Sequence, residues 1–234
     1  HRHRSGEVGC LQLRGEYLFA AAGDEGLRVF DVANIANKGY SQRIVSAPFS
    51  PLGQSSRVKT ANATCLSLVT TQPVHPARNE GEQMRVDNQE QPFHPIYSYA
   101  LVTDAVEGLI LVDINTFADA EPRNNQIERA LTWNPDGALT GARHIEMAGY
   151  RAYISTPRGV VVVNLDTPLA PKVEALIPLA GARAAAVQFR YLFVLDDEGL
   201  KAVDVTHPAA PRVVADNTIA LTDEIGRASC RERV

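Results

Sequence analysis

Residues 17–32 read YLFAAAGDEGLRVFDV. A short β-prone run enters an Asp-Glu-Gly turn, and a second β-prone run leaves it and ends on an acid. Related stretches follow at residues 99–114 (YALVTDAVEGLILVDI), 151–165 (RAYISTPRGVVVVNL) and 191–205 (YLFVLDDEGLKAVDV). One hairpin is used four times. Its turn glycines, Gly26, Gly108, Gly159 and Gly199, fall where a tight hairpin needs positive φ, which glycine adopts without steric cost. The run after each is nearly continuous in Val, Leu and Ile, so that strand wants cover on both faces. A lone hairpin cannot supply such cover, and stacked copies can.

Outward from these hairpins the units complete themselves. Residues 9–15 (GCLQLRG) read as an inner strand before the first hairpin, and residues 41–48 (SQRIVSAP) as an outer strand after it. Four antiparallel strands in about forty residues is the size of one propeller blade. The blades are expected over 8–50, 58–133, 142–179 and 182–215. The last two copies are compact, with Gly159 and Gly199 forty residues apart. The second is stretched by a polar, Pro-containing insertion at 72–95 and a further loop at 115–125, both read as surface loops. The fold class is therefore all-β: a β-propeller of four-stranded antiparallel blades, four of them present, forming an incomplete ring.

The pattern Gly-Leu-x-V-V-Asp-V followed by x-x-Pro-x-x-Pro stands here as GLRVFDV (26–32), GLILVDI (108–114), GVVVVNLDTPLAP (159–171) and GLKAVDVTHPAAP (199–211). It resembles the LVIVD repeats of bacterial β-propeller proteins. That resemblance covers residues 8–215 and implies a propeller in an envelope, periplasmic or secreted protein, often part of a longer chain and often without an assigned activity. Asn164 stands where the pattern usually has Asp.

Both ends look unlike the repeats. Residues 1–7 precede the first unit without an initiating Met, and residues 224–234 (EIGRASCRERV) break the β pattern with three Arg. This tail resembles the read-through translation of a short sequencing adapter. On that reading it is not native, the propeller segment spans 8–223, and the natural protein continues beyond it. An arc of four blades leaves unpaired edges, so self-association is expected unless four blades close.

The formal net charge of −4 and the absence of a basic stripe with interleaved aromatics argue against nucleic-acid binding. No run approaches the length of apolar sequence needed to span a bilayer. The recurring acids Asp31, Asp113, Asn164 and Asp204 each end a strand before a turn, where a short side-chain oxygen accepts backbone N–H groups. The pairs Asp24-Glu25 and Asp197-Glu198 read as solvated turn charge rather than as an acid/base couple.

Aligning the inner strands on their hairpins puts Cys10, His144 and Ala184 at one repeat position, and Cys65 matches it by its local pattern, ATCLSL beside ARHIEM. Inner strands line a propeller's channel. Two readings stay open: a thiolate–imidazole metal site, or a Cys10–Cys65 disulfide in an oxidising compartment. Arg143 and Arg183 repeat one residue earlier, as candidates for an anionic ligand at the channel mouth or for ion pairs to a neighbouring blade. His75 and His94 bracket the insertion as weaker metal candidates. The chain contains no haem-attachment motif, phosphate loop or hydrolase signature. The expected function is a non-catalytic scaffold that presents loops and a channel rim to a protein or ligand partner, or that completes a longer chain, with no cofactor read from the sequence. The alternative is part of an extracytoplasmic enzyme or redox-associated propeller with a metal or anion site in its channel.

Overall fold

The computed structural model describes residues 8–15, 17–32, 45–46, 56–69, 94–117, 125–215 and 218–220. Expectations for residues 1–7, for the insertion as far as residue 93, for His75, for 118–124, for the tail 224–234 and for the side chain of Asp31 lie outside the described residues.

Four antiparallel sheets follow one another in chain order. The first contains β1 (Cys10–Arg14), β2 (Tyr17–Ala21), β3 (Leu27–Asp31), β4 (Val45–Ser46) and β5 (Arg57–Val58). The second contains β6 (Ala63–Leu68), β7 (Tyr99–Asp104), β8 (Gly108–Asp113) and β9 (Glu128–Trp133). The third runs β10 (His144–Ala148), β11 (Arg151–Thr156), β12 (Gly159–Asn164) and β13 (Lys172–Ile177). The fourth runs β14 (Ala184–Gln188), β15 (Tyr191–Leu195), β16 (Leu200–Asp204) and β17 (Arg212–Val213). Tyr17 faces Asp31, Tyr99 faces Asp113, Arg151 faces Asn164 and Tyr191 faces Asp204, so the four hairpins share one register.

The outer strand is continuous in the two middle blades and split in the end ones. In the first blade β4 pairs with the far end of β3 while β5 pairs with its start, so this sheet also takes residues 57–58. In the fourth, β17 covers the end of β16 and Ile219 bridges to Leu200.

The turn glycines hold a φ of 75° at Gly26, 87° at Gly108, 137° at Gly159 and 140° at Gly199. A second constraint appears only in three dimensions. A Cβ on any of them would meet the backbone of its own blade's outer edge: Val58, Trp133, Ile177 and Ile219 respectively. The glycine is required both by its own backbone conformation and by its neighbour.

Burial lies between the blades. The first apolar cluster joins Phe19, Leu27 and Val29 of the first blade to Leu66, Val102 and Ile110 of the second. The next joins Leu101, Leu109 and Leu111 to Ile145, Ile154 and Val161, and the third joins Tyr153, Val160 and Val162 to Leu192, Val194 and Val203. Each blade is covered by its successor, which is why the post-turn strands carry apolar residues on both faces. Tyr153 is so enclosed that burial pushes its phenol up to about 12. Close packing of inner strands runs from β1 to β6, from β6 to β10 and from β10 to β14, and this sequence of contacts makes a four-bladed propeller arc.

Candidate functional site

Because strands alternate direction, each blade has two unlike ends. The first and third connections of a blade open at one end; the hairpin turn and the passage to the next blade lie at the other. The insertion leaves β6 and returns at His94, and the 115–125 loop lies between β8 and β9. Both therefore emerge at the same end of the second blade. Arg143 and Arg183 immediately precede β10 and β14, at the opposite end. The loops and the arginines therefore belong to two separate surfaces.

The returning end of the insertion is built into the fold. His94 is buried, and its Nδ1 accepts the Ile96 N–H at 3.1 Å, capping a 3-10 turn at Pro95–Ser98. With Nδ1 accepting, Nε2 carries the proton and faces Asp166 Oδ1 at 3.3 Å. The imidazole stacks on Tyr150 with centroids 5.4 Å apart. Tyr150 and Asp166 belong to the third blade, so this histidine fixes the base of the insertion across a blade junction. Nearby, Arg14 donates to the Tyr97 carbonyl at 3.3 Å, and burial lowers its pKa from the usual guanidinium value.

At the inner ring, Cys10 and Cys65 form a disulfide between the first and second blades, with Cα atoms 4.7 Å apart. Of the two readings open for these residues, the structure holds the disulfide, in which neither sulfur is a thiolate. His144 shares their position on the third blade, and its Nδ1 accepts the Ala185 N–H at 3.4 Å. Among the described residues no group of three or more His, Cys, Asp or Glu is placed to hold a metal ion.

Two further inner-strand residues escaped the sequence reading. Gln12 accepts the Leu68 N–H at 2.7 Å and donates to the Leu68 carbonyl at 3.1 Å, gripping the free backbone edge of the next blade. Glu146 accepts the Val187 N–H at 3.4 Å in the same relation. Both residues lie five positions before the hairpin strand, at Tyr17 and Arg151, and that shared spacing was the available signal.

Arg143 is exposed, and its N–H donates to the Ser155 carbonyl. Arg183 holds the equivalent backbone bond to Leu195, and its guanidinium donates to Asp197 at 2.8 Å. The strand-ending acids make local turns: Asp113 accepts from Asn115 N–H, Asn164 from Asp166 N–H, and Asp204 from both the N–H and the hydroxyl of Thr206. Those Thr206 bonds hold the Asp204 carboxyl below its usual range. The buried turn acids are different residues. Asp104 accepts from Asn62, Val106 and Glu107, and Asp196 accepts from Glu198 and Gly199 while pairing with Lys201.

This is a β-propeller module. Its first blade carries the repeat that the sequence pattern suggested: the LVIVD repeat family model matches residues 5–43. No curated protein matches the chain. Among solved structures it resembles a Bacteroides uniformis protein described as a candidate 6-phosphogluconolactonase, at 10% identity and TM-score 0.58, covering 92% of this chain and 55% of that one. It also resembles a Lactobacillus plantarum protein at 11% identity and TM-score 0.59, covering 93% and 57%. A functionally unknown Desulfotomaculum acetoxidans protein follows at 8% identity and TM-score 0.55, covering 89% and 55%. At these identities the likeness is one of fold. The chain spans little more than half the length of each.

Proposed function

We propose that this chain is a non-catalytic propeller scaffold whose recognition surface is the end of the second blade that carries the 72–95 insertion and the 115–125 loop. The supporting observation is the His94 anchor. The His94 root is capped, stacked and bonded across a blade junction, and propellers place binding in loops held by a rigid scaffold. The inner-ring side chains that suggested chemistry are engaged in holding blades together, Cys10 with Cys65 and His144 with backbone of the next blade, as are Gln12 and Glu146. The cross-blade disulfide also supports an extracytoplasmic location, where such bonds persist.

The test compares three proteins in affinity capture from envelope extracts: the full chain, a variant with residues 72–93 replaced by a short Gly-Ser linker, and Arg143→Ala/Arg183→Ala. Loss of a specific partner with the linker variant, its melting curve otherwise unchanged, is the expected result. Retention by the linker variant with loss by the arginine pair would move recognition to the opposite end and overturn the proposal.

A further inference from the structure

In the first, third and fourth blades a two-residue turn joins the inner strand to its neighbour, closed by the pairs Arg14–Tyr17, Ala148–Arg151 and Gln188–Tyr191. The first turn position has positive φ in all three: 56° at Gly15, 61° at Gly149 and 54° at Phe189. A turn of that kind asks for glycine there. Phe189 instead holds a left-handed backbone and is 90% exposed, and nothing among the described residues offsets either the strain or the uncovered apolar area. The exposure does not come from the blade's place in the chain. Gly15 and Gly149 each have a following blade packed beside them, yet a Cβ on either meets nothing within 4 Å. The tip of this turn points into open space whether or not another blade follows.

A second apolar tip lies at the same end of the third blade. Leu169, in the connection between β12 and β13, is 51% exposed although the fourth blade follows it. Cations share this end: Arg190 beside Phe189, Lys172 at the start of β13 and Arg212 at the start of β17, all exposed. Arg190 is laid over the Tyr191 ring, 4.9 Å from its centroid. Lys172 and Arg212 pair with no acid among the described residues. The acids at this end of the two blades are engaged, Asp166 with His94, Glu174 with Arg151 and Asp204 with Thr206.

We propose that this end of the third and fourth blades docks on an anionic lipid surface, with Phe189 and Leu169 entering the headgroup boundary and Arg190, Lys172 and Arg212 facing lipid phosphates. Two features favour a bilayer over a protein. The apolar tips sit on separate connections of different blades, and a membrane boundary accepts such tips singly, whereas a protein hot spot is enclosed by a ring of contacts that exclude water. The unpaired charge at this end is of one sign in a chain whose net charge is −4, so the attraction to anionic lipid is local rather than a property of the whole molecule. The docking surface belongs to the third and fourth blades and stands whether or not the second-blade loops bind a protein.

Co-sedimentation of the full chain with vesicles of equal parts phosphatidylglycerol and phosphatidylcholine tests this. Binding is expected there, little on pure phosphatidylcholine, and less as salt rises. Phe189→Gly should lower vesicle affinity about tenfold through the lost apolar area. The same variant should melt at a higher temperature, because it restores the residue that the turn conformation favours. A merely structural phenylalanine would give the opposite shift. Lys172→Gln/Arg212→Gln should lower affinity about thirtyfold. Arg158→Gln, which removes an exposed cation at the opposite end of the third blade, should leave binding unchanged. Absence of wild-type binding to the anionic vesicles, which would leave Phe189 to a protein partner, overturns the proposal. So does binding that Phe189→Gly leaves intact, or a lowered melting temperature in that variant.

Discussion

The second and fourth blades are built from the same hairpin in the same register and have different fates. Leu101, Leu109 and Leu111 of the second blade are fully buried beneath the third. Of their counterparts in the fourth, Phe193 is 37% exposed and Leu200 is half-buried, while the small Ala202 is buried. The difference teaches that a blade's apolar pattern states a demand for a neighbour, and that burial energy is gained only where the neighbour is present.

The strongest way to sharpen this comparison is to untie a covered junction. Cys10→Ser/Cys65→Ser opens a link across 55 residues of chain, and loop entropy puts the loss at about 4 kcal/mol. Hydrogen exchange should rise first in β1 and β6, with β10 and β14 unaffected. Thiol titration of the denatured chain should count one free thiol, Cys230, before reduction and three after. Three thiols without reduction would break this account.

Next in size is the direct contrast of cores. Leu111→Ala should cost about 3 kcal/mol in denaturant unfolding. Phe193→Ala should cost less than about 1 kcal/mol. Equal costs would mean that the fourth blade is covered after all.

The turn glycines offer a third test. Gly159→Ala should lose about 2–3 kcal/mol, because a Cβ there adopts a left-handed backbone and strikes the Ile177 carbonyl. Gly149→Ala, also at positive φ but in open space, should lose only about 1 kcal/mol. The gap between them isolates the close approach from the backbone strain.

The smallest expected effect is electrostatic. Glu107 hydrogen-bonds Arg129, which holds its carboxyl below the ordinary value of 4.5 despite partial burial. Its contribution is therefore present above that value and fades as pH falls through the lowered folded-state pKa. Glu107→Gln should cost less than about 1 kcal/mol at neutral pH and nothing in strong acid. Tyr153 gives the opposite sign: with its phenol raised to about 12, its contribution is full below pH 10 and is lost as pH climbs through the folded value. Spectrophotometric titration should show Tyr153 ionising late, with Tyr97, which burial also pushes up, above the ordinary tyrosines.

Much of the architecture was legible because repetition displays the same local physics four times. The hairpins, their glycines and the inner and outer strands could be placed from Tyr17, Gly26 and their copies. The candidate site was less legible. The sequence singled out Asp197-Glu198, yet the buried turn acid is Asp196, because which of three adjacent polar residues turns inward depends on how the turn closes. His94 looked like a loop histidine; its role depends on Tyr150 and Asp166, more than fifty residues away. Gln12 and Glu146 sat at matching positions, but their task exists only when the next blade's backbone edge stands beside them.

By itself the sequence determined the blade: alternation, turn chemistry and apolar runs are local, and each copy carries them whole. Only the tertiary structure decided which faces are covered, that Cys10 meets Cys65, and that the long loops and the arginines lie at opposite ends. Those outcomes depend on distances between residues far apart in the chain, which are fixed by stacking one blade on the next.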